Sequence, residues 1–544
     1  MSKSISNFLI FVLFIFINNS LSAQTKLTTS KLPIVLIDTK SKSILEDQKI
    51  LSTIKVIDNQ NQSQNSIIDK PTYESNIGIE FRGSTSLQAS EKKPYNVELR
   101  EVDGITQKNE AFLKMADASD WAFLAPYTDK TMIREAFLYS TAQKMMPWAP
   151  HFKFVELVLN GNYQGVYMVC EKIQRSKNRV NIDKMNDIDV TGDELTGGYI
   201  FSLDKFKPTD NYFLSNYLYP GNLRKPEYVI NYPRPDKIKP AQQQYIKNWV
   251  YNFEDVMASK NFADTINGYQ KYLDIPQFVD FVLLNELSRN VDGYRLSTYF
   301  AKDKDSKNPK LQIASVWDYN IALGNANYCE GQSYEGWAFN FNDYCIDDYW
   351  VISKWMSTLI QEPKFQNQLK IRWKSLRKST LSDDKITASL DSLKQQIGDD
   401  AINRNFKKYD ILKTIVWPNP AALNSYDAEY QHLISWTLKR CKWLDNEFSQ
   451  KTSLTTLPDY FEPILFPNPV SEVLQMKFVA YINNTKVTLS VFNMLGQNVF
   501  SASEEKLTRG FNVSNFDVSQ LAKGTYIYNF IVNEKVFSGK FVKM

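Results

Sequence analysis

Two aspartates stand at the ends of a segment whose pattern predicts a β-hairpin, Asp292 before it and Asp318 after it. Residues 294–302 alternate as a strand does, residues 303–310 form a charged turn with Asn and Pro, and residues 311–317 form a second strand. Antiparallel pairing brings the outer ends of two such strands together, about 5 Å apart. The two carboxylates are therefore expected to lie close enough to share one metal ion.

Each aspartate also has a simpler interpretation. Asp292-Gly293 is typical of a turn, and Asp318 could cap the end of a strand. The two residues together, with the apolar helix predicted at 275–287 leading into the hairpin, favour the metal site.

Composition argues against several other chemistries. The chain of 544 residues has only two histidines, which speaks against a Ser-His-Asp triad or a multi-histidine zinc site. Its four cysteines show no CxxC spacing, so a zinc or redox motif is not indicated. The net charge of +4 is too balanced to indicate a nucleic-acid partner.

The first residues have the pattern of a targeting segment. Lys3 is followed by the apolar run Phe8–Ile17 and by a small residue, Ala23, at a possible cleavage point. We expect residues 1–23 to be a cleaved signal peptide, with an uncleaved anchor as the alternative. No later stretch is long and apolar enough for a transmembrane helix. The mature chain is thus expected outside the cytoplasm, where disulfides are stable.

The remaining pattern predicts an α+β protein. The first part is expected to be mostly antiparallel sheet with one helix over 130–146 and a hairpin over 152–173, turning at Asn160-Gly161. Further helices are expected at 239–259 and 275–287, and three or four more between 350 and 450. The other strands of the first part are expected at 32–38, 52–58, 77–82 and 95–100.

The last part of the chain changes character. A short linker with Pro458 and Pro463 precedes a tail of short alternating strands from about residue 466. This pattern predicts a small C-terminal β-sandwich over residues 456–544.

Several stretches resemble a known family. RGSTSLQASEKKPYNVELR, NYQGVYMVCEKI, NELSRNVDGYRLSTY and SVWDYNIALGNANYC together resemble the CotH family of atypical protein kinases, over roughly residues 32–450. FPNPVSEVL, VFNMLGQNV, LAKGTYIYNF and KVFSGKFVKM resemble the C-terminal sorting domain of the type IX secretion system. The resemblance implies a divergent protein-kinase-like fold over residues 24–455, with a sheet-rich N-lobe and a helical C-lobe.

The kinase resemblance also implies roles for the hairpin residues. Asp292 would be the catalytic aspartate that orients the acceptor hydroxyl, and Asp318 the metal ligand for Mg²⁺ or Mn²⁺ bound with ATP. Ordinary kinases have Asn five residues after the catalytic aspartate, whereas this chain has Ser297, a weaker metal ligand. Asn320, two residues after Asp318, is a possible compensation. A pseudokinase therefore stays open as an alternative.

Other residues are candidates for nucleotide binding. Arg82 and Lys93 flank a loop with Gly, Ser and Thr that could cover phosphates. Arg134, on the first predicted helix, could face the same cleft. VYMVCEKI resembles a kinase hinge, so Glu171 and Lys172 are expected to flank the adenine. An ordinary hairpin and an ordinary sheet strand are the structural alternatives.

Two polar residues and two cysteines lie close to the predicted catalytic loop. Glu286 and Asn290 are expected to brace it, or simply to be buried polar groups that have the hydrogen-bond partners such groups need. Cys329 and Cys345 lie in one loop beside the predicted site, and in an oxidising compartment we expect a disulfide between them. Cys170, in an apolar strand, is expected to be buried and inert.

Together these observations predict an exported, ATP- and Mg²⁺-dependent protein Ser/Thr kinase that acts on secreted or cell-surface proteins. A non-catalytic nucleotide-binding module or extracellular scaffold is the second interpretation, and a phosphotransferase acting on a small molecule is the third, because one fold can host several activities.

Overall fold

The computed structural model describes residues 26–59, 64–83, 85–220, 224–345, 348–450, 463–480, 485–507, 510–532 and 535–544. The predicted signal peptide and Pro458 of the predicted linker lie outside these residues. Up to residue 450, the described strands in chain order are β1 (Thr29–Ser30), β2 (Ile34–Asp38), β3 (Ile50–Ile57), β4 (Asn65–Ser66), β5 (Tyr73–Phe81), β6 (Tyr95–Arg100), β7 (Glu110–Phe112), β8 (Met115–Ala118), β9 (Asp120–Leu124), β10 (Phe152–Leu159), β11 (Asn162–Glu171), β12 (Tyr199–Leu203), β13 (Tyr212–Leu214), β14 (Glu227–Tyr232), β15 (Thr298–Lys302) and β16 (Leu311–Ser315).

The helices alternate with these strands and then dominate. In chain order they are α1 (Thr85–Ala89), α2 (Arg134–Ala142), α3 (Gly192–Leu195), α4 (Pro240–Ala258), α5 (Tyr269–Tyr272), α6 (Ile275–Ser288), α7 (Phe341–Tyr344), α8 (Lys354–Gln361), α9 (Pro363–Arg377), α10 (Asp383–Ile397), α11 (Asp399–Lys408) and α12 (Tyr426–Gln450). The predicted α+β class is confirmed. Where three or four helices were predicted after residue 350, the described chain has five. No described helix is both long and apolar enough to cross a membrane.

Seven strands of the first part form a closed barrel. Its order is β10-β11-β9-β6-β5-β3-β2, and a parallel pairing of β2 with β10 closes it. Alternate side chains point inward and form one apolar core with Trp121 and Tyr167 among its largest members. The β10–β11 hairpin turns at Asn160 and Gly161, both with positive φ, as the Asn-Gly pair predicts.

A second, antiparallel sheet carries the predicted Asp292–Asp318 hairpin. Its order is β13-β14-β12-β15-β16, so β15 and β16 pair as expected. The first strand of the hairpin begins at Thr298 rather than at residue 294, because Tyr294 and Ser297 have positive φ values of 69° and 47° that no strand residue adopts. Strands β12 to β14 were not predicted.

Helix α6 is the central helix of the second half. Twelve of its 14 residues are buried, as its apolar sequence predicts, and it packs against α9, α12 and β16. It ends at Arg289, whose φ of 45° reverses the chain into the loop that carries Asp292.

A buried ion pair ties the end of α6 to α12. One Glu286 carboxylate oxygen accepts hydrogen bonds from the Tyr294 hydroxyl (2.9 Å) and the Phe339 amide (3.0 Å), and the other accepts from the Ala338 amide (2.8 Å) and Arg440 Nη2 (3.1 Å). Burial raises the pKa of Glu286 and lowers the pKa of Arg440 to about 9, because removal from water disfavours the charged form of each group.

The tail forms its own two sheets. Its strands are β17 (Ile464–Phe466), β18 (Val473–Ala480), β19 (Thr485–Phe492), β20 (Asn498–Leu507), β21 (Gly510–Asp517), β22 (Gly524–Val532) and β23 (Lys535–Lys543). One sheet has the order β17-β18-β21 and the other β20-β19-β22-β23. Leu474 and Phe478 from the first sheet share an apolar core with Leu489 and Phe530 from the second.

The predicted disulfide is present. Cys329 and Cys345 are bonded and their Cα atoms are 5.3 Å apart. Cys170, in β11, is buried as expected, and Cys441, in α12, is buried as well; neither is bonded.

The disulfide predicts a measurable loss of stability on reduction. Closing a loop of this length is worth about 3 kcal/mol in the chain-entropy description. We expect a reducing agent to lower the melting temperature of the wild type but not that of the Cys329→Ser/Cys345→Ser variant. Peptide mapping without reductant should recover the bonded pair; finding both thiols free would contradict the assignment.

The buried ion pair predicts a larger loss for one arginine than for another. Arg440→Leu leaves the Glu286 carboxylate buried without its cation, and we expect unfolding free energy to fall by about 3–5 kcal/mol. Arg234→Leu is the matched control, because Arg234 makes a 3.7 Å exposed contact with Asp236 and such pairs contribute about 1 kcal/mol at most. Equal losses by chemical denaturation would show that the buried pair has no special weight.

Candidate functional site

A cavity of about 390 Å³ lies between the barrel and the second sheet. Barrel residues line one side of it and second-sheet residues the other, and both basic and acidic groups face it. Arg82, Lys172 and Trp317 are among the residues that line it. A cavity of this size and mixed polarity can hold a small molecule such as a nucleotide.

Asp292 and Asp318 lie together at the end of the hairpin beside this cavity. Asp318 directly follows the cavity residue Trp317, and its side chain is accessible to solvent although protein surrounds it closely. The surrounding protein raises the pKa of the Asp318 carboxyl, and the negative charge of Asp292 raises it further. Arg82 and Lys205 oppose this rise. The two carboxylates thus interact electrostatically, and whether they share one metal ion stays a prediction.

A buried arginine fixes the orientation of Asp292. Arg295 Nη2 donates to Asp292 Oδ1 at 2.7 Å, and Arg295 Nη1 donates to Asp348 Oδ1 at 3.1 Å and to the Trp350 carbonyl at 2.8 Å. The Asp292 amide donates to Asn290 Oδ1 at 3.1 Å. These contacts hold the carboxylate by one oxygen and stabilise the turn on which it stands.

The backbone around the two aspartates is unusual. Arg289, Tyr294, Ser297 and Asp318 all have φ between 45° and 69°, in the left-handed region that non-glycine residues seldom occupy. Such conformations persist where surrounding contacts enforce them and concentrate at functional sites. Here Glu286 and Asn290, predicted as bracing residues, hydrogen-bond to Tyr294 and to the Asp292 amide.

Two of the predicted nucleotide residues line the cavity. The Arg82 guanidinium lies 5.4 Å from the centre of the Trp317 ring, and its charge lowers the pKa of Asp318. Lys172 lines the same cavity, and burial lowers the pKa of its amine although Asp120 opposes this. Both cations are therefore positioned to meet an anionic group in the cavity.

Three other predicted nucleotide residues are committed elsewhere. Lys93 Nζ donates to the Leu87 carbonyl at 2.7 Å, so the side chain turns back toward α1. Arg134 is buried, and its Nη1 pairs with Asp129 Oδ1 at 2.6 Å. Neither residue lines the cavity. The geometry of the cavity gives no support to the predicted nucleotide role of these two residues, which stays a prediction.

Glu171 is the third. Its buried Oε2 accepts from the His151 amide at 3.0 Å and from Trp148 Nε1 at 3.3 Å, and lies 2.9 Å from His151 Nδ1. These bonds anchor the end of β11 to the segment before β10. Glu171 does not line the cavity, whereas its neighbour Lys172 does, and the contact of Glu171 with adenine stays a prediction.

The structure adds two acids that sequence reasoning missed. Ser297 Oγ donates to Asp204 Oδ2 at 3.4 Å, and burial together with the charges of Asp318 and Asp292 raises the pKa of Asp204 to about 7. Burial and the charge of Asp318 also raise the pKa of Glu135 to about 7. The Tyr139 hydroxyl donates to Glu135 at 2.6 Å. Asp204 directly follows an apolar run, 199–203, that signals a strand, and Glu135 is the residue after the predicted Arg134.

Asp204, Asp292 and Asp318 all offer carboxylate oxygens. Oxygen-only ligands are what Mg²⁺ and Mn²⁺ prefer. Asp204, Asp292 and Asp318 do not all lie within 4.8 Å of one another; among the described residues the one set of three His, Cys, Asp or Glu donors this close is Cys329, Cys345 and Asp348. Its two sulfurs are bonded to each other, so that set does not suit a metal.

Asn320 has a different place. Its carbonyl accepts a hydrogen bond from Asn325 Nδ2 at 2.9 Å, and its side chain is half-buried. The metal role suggested by its position after Asp318 remains a prediction.

Comparison with known proteins gives two matches. Residues 79–444 match the family described as CotH kinase protein, and residues 464–544 match the secretion system C-terminal sorting domain. No curated protein matches the chain. The sorting-domain match indicates an exported protein, at the cell surface or secreted. Because the first match covers more than half of the chain and includes both Asp292 and Asp318, the chain belongs to the CotH kinase protein family.

Proposed function

We propose that this protein is an exported kinase, dependent on ATP and on Mg²⁺ or Mn²⁺, that transfers the γ-phosphate to Ser or Thr hydroxyls of secreted or cell-surface proteins. The observation that carries the proposal is the pair Asp292 and Asp318 beside a cavity with two basic residues, Arg82 and Lys172. The family match supports the same activity class.

The residues divide the work of phosphoryl transfer. Such transfer needs positioning and charge neutralisation more than covalent chemistry. Asp318 would hold the metal ion, which neutralises phosphate charge when bound. Arg82 would pair with the phosphates, and Lys172 would lie beside the adenine. Asp292, oriented by Arg295, would accept the proton of the acceptor hydroxyl as the new O–P bond forms, the bond to the leaving ADP breaks and ADP departs.

The finer architecture belongs to the same proposal. The barrel would be the nucleotide lobe and the helical half the second lobe of a divergent protein-kinase-like fold spanning residues 24–455. The location of the cavity between barrel and second sheet supports this reading. Residues 456–544 would form a β-sandwich, which the shared core of the two tail sheets supports.

Export would use both ends of the chain. Residues 1–23 would direct the chain across the inner membrane, and the tail would then engage the type IX secretion machinery. The sorting-domain match supports the second step.

One observation favours a second function. Ser297 replaces the metal-binding Asn of ordinary kinases. If metal binding is too weak for turnover, the protein would be a pseudokinase that binds nucleotide, or an extracellular scaffold.

Substitutions of the two aspartates are predicted to affect different steps. Asp318→Asn should weaken binding of the metal–nucleotide complex as well as turnover, because the charge that holds the ion is lost. Asp292→Asn should leave nucleotide affinity nearly intact and lower turnover by about a hundredfold or more. Calorimetry and phosphate transfer to a generic protein acceptor measure the two effects.

Asp255→Asn is the control for these variants, because Asp255 is exposed and binds only the Tyr217 hydroxyl among its described contacts, at 2.7 Å. Wild-type turnover in both site variants would remove these residues from catalysis. Nucleotide binding without any transfer by the wild type would establish the pseudokinase function instead.

Processing at both ends is predicted as well. We expect the secreted protein to begin near Gln24 and to lack most of the chain after about Leu465, because signal peptide and sorting tail are both removed on export. Intact-mass measurement of cell-surface protein tests this, and a mature protein that retains Met544 would contradict removal of the tail.

A further inference from the structure

We propose that Asp204 is a ligand of the nucleotide-bound metal ion and fills the place that Ser297 leaves open. The inference rests on the proposed kinase function and assigns a residue that neither the hairpin pattern nor the family resemblance brought to the site.

Strand pairing brings Asp204 to this position. Strands β12 and β15 run antiparallel, with Leu203 opposite Thr298. Asp204, which follows the end of β12, and Ser297, which precedes the start of β15, therefore lie side by side. Strand β16 pairs with β15 on its other side and leads to Asp318. Three neighbouring strands therefore deliver Asp204, Ser297 and Asp318 to one end of the sheet.

The contact between Ser297 and Asp204 relates Asp204 to the metal site of ordinary kinases. In ordinary kinases the Asn at this point of the loop and the aspartate equivalent in position to Asp318 hold the metal ions. A serine hydroxyl is a poor substitute, but here it donates to Asp204 Oδ2 at 3.4 Å. A carboxylate thus stands directly beside the position of the missing amide, and a carboxylate binds Mg²⁺ more strongly than a neutral oxygen does.

The charges around Asp204 favour a cation there. Asp318 and Asp292 both act on Asp204 as like charges, and Lys205 opposes them. The Lys205 amide donates to Asp204 Oδ1 at 2.8 Å, which orients the carboxylate with its second oxygen toward Ser297. A divalent ion held between Asp204 and Asp318 would reduce this repulsion.

Asp204 also has a purely structural alternative, since the same hydrogen bonds could simply fix the loop after β12. The two roles differ in one respect. A metal ligand needs the negative charge, whereas a loop brace needs only a hydrogen-bond acceptor, which Asn also provides.

Mn²⁺ binding to the mature full chain separates these roles. Electron paramagnetic resonance measures free and bound Mn²⁺ with a non-hydrolysable ATP analogue present. We expect Asp204→Asn to weaken Mn²⁺ binding by about tenfold or more, while affinity for the analogue without metal stays at the wild-type value.

A same-size pair provides a second comparison if Asp204→Asn lowers the melting temperature. Asp204→Glu and Asp204→Gln differ in charge alone, and the Glu variant should bind Mn²⁺ about tenfold more tightly or better. Asp187→Asn is the control for a charge lost at the surface, since Asp187 is exposed and pairs only with Lys239 among its described contacts.

Three outcomes decide the inference. Weaker Mn²⁺ binding in Asp204→Asn, with Asp187→Asn unchanged, supports it. Wild-type Mn²⁺ binding in Asp204→Asn, or equal binding in the Glu and Gln variants, overturns it while leaving the proposed kinase function intact. A wild type that binds neither Mn²⁺ nor the analogue overturns both.

Discussion

The buried carboxylate of Glu286 is the interaction on which the rest of the site depends. It receives hydrogen bonds from the Tyr294 hydroxyl, from the backbone at 338–339 and from Arg440. These partners come from the loop that carries Asp292, from the segment after the hairpin and from the last helix of the body. One charged group therefore joins elements far apart in the sequence. A buried ion pair adds little net stability but strongly penalises any arrangement that separates its members, so it selects one loop conformation.

A second chain of contacts runs from the catalytic aspartate to the disulfide. Arg295 bridges Asp292 and Asp348, and Asp348 lies beside Cys345. The Arg295 guanidinium also covers the Phe341 ring at 4.0 Å, in the short helix that leads to Cys345. Because the disulfide fixes Cys345, which lies close to Asp348, it also limits the positions open to Asp348 and to Arg295. The loop thus contributes to the site without reaching the cavity itself.

The sequence was sufficient for the hairpin and insufficient for what surrounds it. Alternation and a charged turn predicted β15 and β16 because these signals are local. The strand boundary at Thr298 was missed because the left-handed backbone at Tyr294 and Ser297 is enforced by tertiary contacts that the pattern does not contain. Asp204 was missed for a related reason. Its closeness to Ser297 arises from pairing between strands 93 residues apart, which no local pattern encodes.

Helix α2 shows the same limit in the choice between two adjacent residues. Helical spacing identified the segment around residues 130–146, yet it could not decide between Arg134 and Glu135, which point in different directions. Arg134 is buried against Asp129, whereas Glu135 lies within electrostatic range of Asp318. An acidic residue, Glu135, rather than the predicted Arg134, therefore interacts with Asp318.

The acids that the fold brings near Asp318 change how the absence of the kinase Asn at position 297 should be judged. A loop motif identifies ligands from one segment of the chain, whereas a metal ion binds oxygens from any segment that places them close to it. Strand β12 supplies Asp204 beside Ser297, and the hairpin supplies Asp292 and Asp318. The absence of one amide in the loop is therefore weak ground for inactivity as long as a neighbouring strand offers a carboxylate at the same end of the sheet. Metal binding at this site depends on its total negative charge and on the solvent exposure of Asp318. Both are features of the folded sheet rather than of the loop motif.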